Sequence, residues 1–569
     1  MQHFIKKINL VFLLLILLSF NTKSFSRDIY SQDDISNYFL GIISAKQANS
    51  VKAYGYLNKV RSLKNKHSNF NVQFIRTLIL LGKFEQAFAF SQNVWSEDKF
   101  FFEAELLLGI KAFANNDFAG AEKYFERMNK VSQYKISFEE FLGNILIAWV
   151  KASENDEKAS FEFSNKIPKR FNFVKKIQNS FLQCHFGALT AQSSFEELIN
   201  KKGTDFSRYN FFLTNYLIFK NKNIEAKKVI HKARKINNNN LLIKQTENFI
   251  VNGKSRKIKN LFDCKNPKDV MAEFFYILAN FYSVEEYYEL SNFYLKISLF
   301  LNNKFIPNKA LLAENFFYEK KYENSQKVYN SLKSIGSIYS WHASLSNAVI
   351  LEKIKDKESA ISSLKKDFGM LPNPGYLHYF EFANFYKDNE YYSDSINYYT
   401  LALQEIKQDH ILFPKILYRR GTSYERIGKW AESEKDLKKS LEILPDQPHV
   451  LNYLAYGWVE KNKNIDQSLE MLKRATNMKK NDGYIIDSLG WAYYMNNNYT
   501  DAEKYLQRAV EILPSDPVIN DHYADTLWML NKNMQARYFW KYVLGLDTTD
   551  QELKDKINKK IIFGVNTKL

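Results

Sequence analysis

The stretch Gly483–Asp516, GYIIDSLGWAYYMNNNYTDAEKYLQRAVEILPSD, decides the fold of this chain. It reads as two helices joined by the polar turn around Asn496-Asn497-Asn498. The small residues Gly490, Ala502 and Ala509 fall where helix backbones must approach closely, and the large residues Leu489, Tyr493, Tyr499 and Leu506 fill the gaps between them. Pro514 cannot continue the second helix and ends it. A single pair of this kind cannot bury its apolar faces alone, so the expectation is an array of stacked pairs.

This pattern resembles the tetratricopeptide repeat (TPR), whose period is roughly 34 residues. Carried towards the N-terminus, the register places Leu417, Arg420-Gly421, Tyr424, Trp430, Ser433, Leu437, Ser440 and Pro445 in the same slots. Leu451, Ala455, Trp458, Ser468, Leu472 and Ala475 follow, with one extra residue in the turn from Lys461 to Ile465. Beyond Asp516 a weaker unit carries Ala524, Leu527, Ala536 and Trp540, and a polar helix ending near Ile562 suits a cap. Earlier units are marked by Phe382-Ala383 with Tyr399, Ala348 with Ala360, Leu312-Ala313 with Tyr329, and Leu278-Ala279 with Leu295. Near the start, units begin at about Asp34, Ser68 and Phe102. Between about residues 136 and 260 helices can be paired but no strict register holds.

The fold class expected is therefore all-α, a superhelical TPR solenoid of antiparallel helix pairs. The expected organisation is an export segment over 1–26, degenerate repeats over 27–255, a regular array over 256–550 and a polar helix over 551–569. The polar, basic segment Asn252-Gly253-Lys254-Ser255-Arg256-Lys257 is the one plausible break. Composition agrees: 19 Gly and 10 Pro in 569 residues leave little for β-turns, while 36 Tyr and 46 Phe supply inter-helix packing.

Lys6 and Lys7 precede an apolar run from Leu10 to Leu18, and Ser24-Phe25-Ser26 sets small residues where a signal peptidase reads. The run is shorter than the roughly 20 residues that span a bilayer, which favours a cleavable export signal over an anchor and a periplasmic or exported mature chain. No lipid-accepting Cys follows it. Loss of residues 1–26, which carry Lys6, Lys7 and Lys23 and no acid, lowers the formal charge from +18 to +15. Lysines spread along the whole chain read as a solvated basic surface; contact with an anionic envelope surface is the alternative, and export argues against nucleic acid. An oxidising compartment would allow Cys184 and Cys264 to pair. They lie about two repeats apart along a solenoid, whereas a disulfide needs Cα atoms within about 7 Å, so the unpaired state is expected.

No catalytic, cofactor or metal constellation is expected. Gly253-Lys254-Ser255 resembles the end of a phosphate-binding loop, but Asn248 stands where the first glycine belongs and no strand precedes it. HExxH, GxSxG and CxxC patterns are absent, and the nine histidines are scattered. The remaining candidate is the concave groove lined by the first helix of each pair. Its inward positions are Lys415, Tyr418, Arg419 and Arg426; Asn452, Tyr453 and Tyr456; Tyr484, Asp487 and Trp491; and Asp521, Asp525 and Trp528. Trp430, Trp458 and Trp540 fall at packing slots. Aromatic faces mixed with charges of both signs suit a protein or peptide segment, and an inward carboxylate is expected to serve binding because it gains little from packing.

The runs PDQPHVLNYLAYGWVEKNKNIDQSLEMLKRA, DGYIIDSLGWAYY and DPVINDHYADTLWMLNKNMQARYFW, within Pro445–Trp540, resemble the C-terminal block of exported bacterial TPR proteins. The family pattern reads LNYLGYSW, DSLGWALY and DPEINDHLGDALW; this chain departs from it chiefly at Ala455, Tyr523 and Ala524. The block is also similar to that of TPR lipoproteins that act as adaptors for a carboxyl-terminal-processing protease. The resemblance implies a non-enzymatic envelope adaptor that presents partners to a protease or cell-wall enzyme; the alternative is a structural part of an envelope assembly or secretion complex. The clamp by which chaperone-binding TPR domains hold a terminal carboxylate needs Lys and Asn at fixed inward slots, and here Tyr418, Thr422, His449, Asn452 and Tyr453 occupy them.

Overall fold

Most of the repeats close through the same small device. At the end of a first helix one residue adopts a left-handed conformation, and the next N–H reaches back five residues to a helix carbonyl. Lys83 N–H donates to Leu78 O over Gly82 (2.8 Å), Asp117 to Ala112 over Asn116 (2.9 Å), Asn498 to Tyr493 over Asn497 (2.9 Å) and Lys532 to Leu527 over Asn531 (2.9 Å). This is the Schellman closure, which satisfies end carbonyls and turns the chain into the second helix. The computed structural model describes residues 30–96, 101–132, 139–200, 207–236 and 239–565. Among them are 31 α-helices and no β-strand. The fold is the expected all-α solenoid of antiparallel helix pairs. The export segment and its cleavage point lie outside the described residues.

The stretch without a register also resolves into pairs. Glu139–Ser153 with Glu157–Asn165, Asn172–Phe186 with Ala191–Asn200, Tyr209–Phe219 with Asn223–Ile236, and Leu241–Val251 with Ser255–Leu261 follow one another. Three of the second helices are short, which breaks the even period. Gly253, in the segment likened to a phosphate loop, is the left-handed turn residue of the last of these pairs, with Lys254 N–H on Phe249 O (2.7 Å).

Packing divides the chain into residues 1–350 and 351–569. The basic segment 252–257 thus sits inside the first unit, whose core includes Phe249, Ile258 and Phe262. Within that unit Phe84 stacks on Phe300 (4.6 Å between centroids), and helix Pro267–Val284 lies against helix Glu139–Ser153. This return of the chain corrects the expectation for the cysteines. Cys184 and Cys264 form a disulfide, with Cα atoms 6.0 Å apart. Counting repeats along a straight axis placed them too far apart; the tight coil brings the end of helix Asn172–Phe186 to the loop before Pro267. His185 marks the same junction, its ring nitrogens 3.1 Å from Ala152 O and 3.2 Å from Cys264 O.

In the second unit the small slots are filled as expected: Ala455, Ala502, Ala509, Ala524 and Ala536 are buried, as are Trp458 and Trp540. Trp430 is half-buried and covers Gly457, where an added Cβ would lie 2.1 Å from the ring. At Gly490 a Cβ would meet Leu506 Cγ at 2.6 Å, so glycine is needed for the close approach of these helices.

Candidate protein-binding groove

The inward positions lie on the helices Phe413–Arg426, Pro448–Val459, Gly483–Met495 and Pro517–Met529. They divide by the direction in which they point. Residues towards the groove stay partly open: Tyr484 is 59% exposed, while Arg419, Asn452, Tyr453, Tyr456, Trp491 and Trp528 are half-buried. Lys415 is exposed, its ammonium 5.9 Å from the Phe380 ring centroid. Tyr453 donates to Glu425 (2.8 Å) and meets Tyr418 edge-on at 6.1 Å. The Asn452 Oδ1 is buried and accepts no hydrogen bond. Burial, and then the charges of Glu460 and Asp487, hold the Tyr456 phenol protonated well above its ordinary range.

The three inward carboxylates depart from expectation. Asp487, Asp521 and Asp525 are buried and already paired within the chain. Asp487 lies 3.0 Å from His522 Nδ1 on the next repeat. Asp521 and Asp525 both accept from Lys560 of helix Gln551–Phe563, at 2.8 and 2.7 Å, and Trp540 Nε1 donates to Asp525 at 3.1 Å. Their side of the helix faces the next first helix, so the carboxylates join repeats instead of lining open groove. A buried charge is tolerated only when paired, and these are. Burial opposes charge on His522, but Asp487, with Asp521 and Asp525, outweighs it and the imidazole pKa is raised. Burial likewise opposes charge on Lys560, and Asp525 and Asp521 raise its pKa in net. Burial and Asp521 push Asp525 up against the pull of Lys560.

The indoles share this mixed role. Trp491 stacks on His522 (centroids 4.0 Å, 13° between planes) and on Tyr494 (4.5 Å), and donates to Glu460 (2.7 Å). Trp528 lies 5.5 Å from Trp540, under the Arg537 guanidinium at 5.0 Å. His522, Glu460 and Lys560 are the residues that sequence reasoning missed. His522 directly follows Asp521 in the quoted NDHYADTLW run, so it was within reach; Lys560 was not, because its distance along the chain from Asp521 says nothing of where the last helix docks.

One repeat unit is matched from outside as well. The tetratricopeptide repeat family model matches residues 485–516. A TPR repeat-containing protein of Pseudomonas aeruginosa is 30% identical over 120 residues, covering 21% of this chain and 20% of that protein. The chain thus spans about a fifth of the length of this curated relative. Among solved structures, the Cut9–Hcn1 hetero-tetramer of the APC/C aligns over 93% of this chain and 96% of that one, at 13% identity and a TM-score of 0.36. A tetratricopeptide repeat protein from Parabacteroides merdae aligns over 44% of this chain and 97% of that one, also at 13% identity and a TM-score of 0.36. Among the described residues no group of three or more His, Cys, Asp or Glu is placed to hold a metal ion, and no helix is long and apolar enough to cross a membrane.

Proposed function

We propose that this protein is a non-enzymatic adaptor of the bacterial cell envelope that holds an extended segment of a partner protein in the groove of its second unit. The observation that carries this reading is the row of aromatic side chains left partly open on successive first helices, Tyr453, Tyr456, Tyr484 and Trp491. Their amphipathic rings give large contact area at low entropic cost. The resemblance of Pro445–Trp540 to protease adaptors makes a protease or cell-wall enzyme the kind of partner to seek. Location outside the cytoplasm is supported by Lys6-Lys7, the run Leu10–Leu18 and Ser24-Phe25-Ser26, and by the Cys184–Cys264 disulfide, which suits an oxidising compartment.

The test has two parts. N-terminal sequencing of the protein from envelope fractions should give a chain that begins near Arg27; intact Met1 in the cytosol would remove the envelope reading. A photo-crosslinking residue at Tyr456 should trap an envelope protein that rebinds the purified chain, whereas one at exposed Met534 should not. Equal trapping from both positions would remove the groove.

A further inference from the structure

The connectors between successive helix pairs of the second unit are unequal. Residues 444–447, 479–482 and 513–516 join the later pairs, whereas residues 405–412 make a longer connector between helices Tyr392–Gln404 and Phe413–Arg426. Beside it a furrow of about 540 Å³ opens between the second helices Tyr392–Gln404 and Trp430–Ile443. Helix Phe413–Arg426 forms its floor, through the face turned away from the inward Lys415 and Arg419. The furrow therefore belongs to the side of the repeats opposite the groove.

Its floor sets apolar Leu403, Phe413 and Leu417 beside a largely buried ion pair. Arg420 Nε and Nη2 donate to the two oxygens of Asp436 at 2.7 and 2.8 Å, and Nη1 donates to Thr400 at 3.0 Å. Arg420 and Asp436 stand just before Gly421 and Leu437, in slots where the next repeat carries buried Leu454 and Met471. Leu403 and Phe413 are only half-buried. Fixed polar groups beside open apolar side chains, in a volume within roughly 300–1,000 Å³, are the make-up of binding cavities. The rim is basic. Lys435 is exposed and has no hydrogen-bond or ion-pair partner among the described residues, while Lys438 and Lys439 meet Glu434 and Glu442 at 2.6 and 3.0 Å. Such solvent-reached pairs are weak and yield to a better-placed acid.

We propose that this outer furrow is a second protein-docking surface whose occupant is an acidic segment bearing large apolar side chains. The apolar side chains seat on Leu403, Phe413 and Leu417, and the carboxylates lie along Lys435, Lys438 and Lys439. Charge sets the sign of the partner: Arg420 and Asp436 cancel, and three ammonium groups face two carboxylates that solvent already reaches. The floor sets the second requirement, because a purely ionic ligand would leave its apolar side chains uncovered. An anionic membrane would meet the lysines, but a flat surface cannot enter a furrow between two helices. The inference extends the adaptor reading, since an adaptor holds two partners at once, and it uses none of the groove residues.

Fluorescence anisotropy of labelled, amidated octapeptides with the full mature chain tests it. One peptide alternates glutamate with leucine, one glutamate with glycine and one lysine with leucine. The glutamate–leucine peptide should bind, and the other two should bind about tenfold more weakly or worse. Lys435→Glu should weaken the binding about tenfold or more, and adding Lys439→Gln should weaken it further, with the thermal melt unchanged. Tyr484→Ala, in the groove, should leave it unaltered. No binding of the glutamate–leucine peptide, equal binding of either other peptide, or unchanged affinity in the double variant overturns the proposal. Binding lost in Tyr484→Ala but kept in Lys435→Glu would move the peptide to the groove and overturn it too, as would attachment to phosphatidylglycerol vesicles without peptide binding. The groove is read separately: the Tyr456 crosslink should survive Lys435→Glu, and a failed crosslink beside intact furrow binding removes the groove alone.

Discussion

Asp487→Asn is the sharpest perturbation of the second unit, because it removes one charge of a buried pair and keeps its shape. Asp487 and His522 are each less than a tenth exposed and sit 3.0 Å apart. Two unit charges about 4 Å apart at an effective dielectric near 20 attract by roughly 4 kcal/mol, and removing one partner of a buried pair costs roughly 3–5 kcal/mol. The full loss applies only while His522 is charged. Its folded pKa is raised in net by Asp487, so the stabilisation is fully present below the ordinary histidine value near 6.5 and is lost as the pH rises through the folded pKa. In the variant, an uncharged imidazole can still share a hydrogen bond with the asparagine. The destabilisation should therefore be about 3 kcal/mol or more at pH 5 and should shrink towards about 1 kcal/mol as the pH rises through the folded pKa. Guanidinium unfolding followed by tryptophan fluorescence across a pH series, with hydrogen exchange in helix Gly483–Met495, reads this directly. A loss of only about 1 kcal/mol already at pH 5 would show that His522 is neutral there, and the charged-pair reasoning would fail.

Ala509→Phe should overpack a fully buried helix junction by roughly 1–3 kcal/mol. Nearest-neighbour coupling should then speed hydrogen exchange across Leu451–Trp540 before the first unit responds, and an unchanged pattern there would count against the repeat register. Cys264→Ser, which opens a bridge between residues separated by 80 positions, should lower stability by about 4 kcal/mol on the chain-entropy model; two free thiols titrated in unfolded, unreduced protein would contradict the pairing. Trp491→Ala should cost about 2 kcal/mol or more through the lost stack on His522 and the bond to Glu460. Affinity for the bound segment, measured beside the melt, separates the indole's two roles: full affinity with lowered stability would make Trp491 a packing residue only.

What the sequence by itself determined is the content of one repeat. Gly490, Ala502, Ala509 and Pro514 specify close helix approach and a stop, because small volumes and a missing N–H act within some 34 residues and need no knowledge of the rest of the chain. Even the irregular stretch was legible in principle: Asn155, Gly187, Asn221 and Gly253 mark its turns, since asparagine and glycine tolerate the left-handed closure. The period tells where a residue sits in its own repeat, and so it assigns Asn452, Tyr453 and Tyr456 to the first helix of their pair, Pro448–Val459. Only the tertiary structure decided which inward residues stay open. The angle between successive pairs turns Asp487 onto His522, docks Lys560 on Asp521 and Asp525, and coils the first unit until Cys184 meets Cys264. That angle is the sum of many small packing choices between helices, and none of them is written at the positions whose fate it settles.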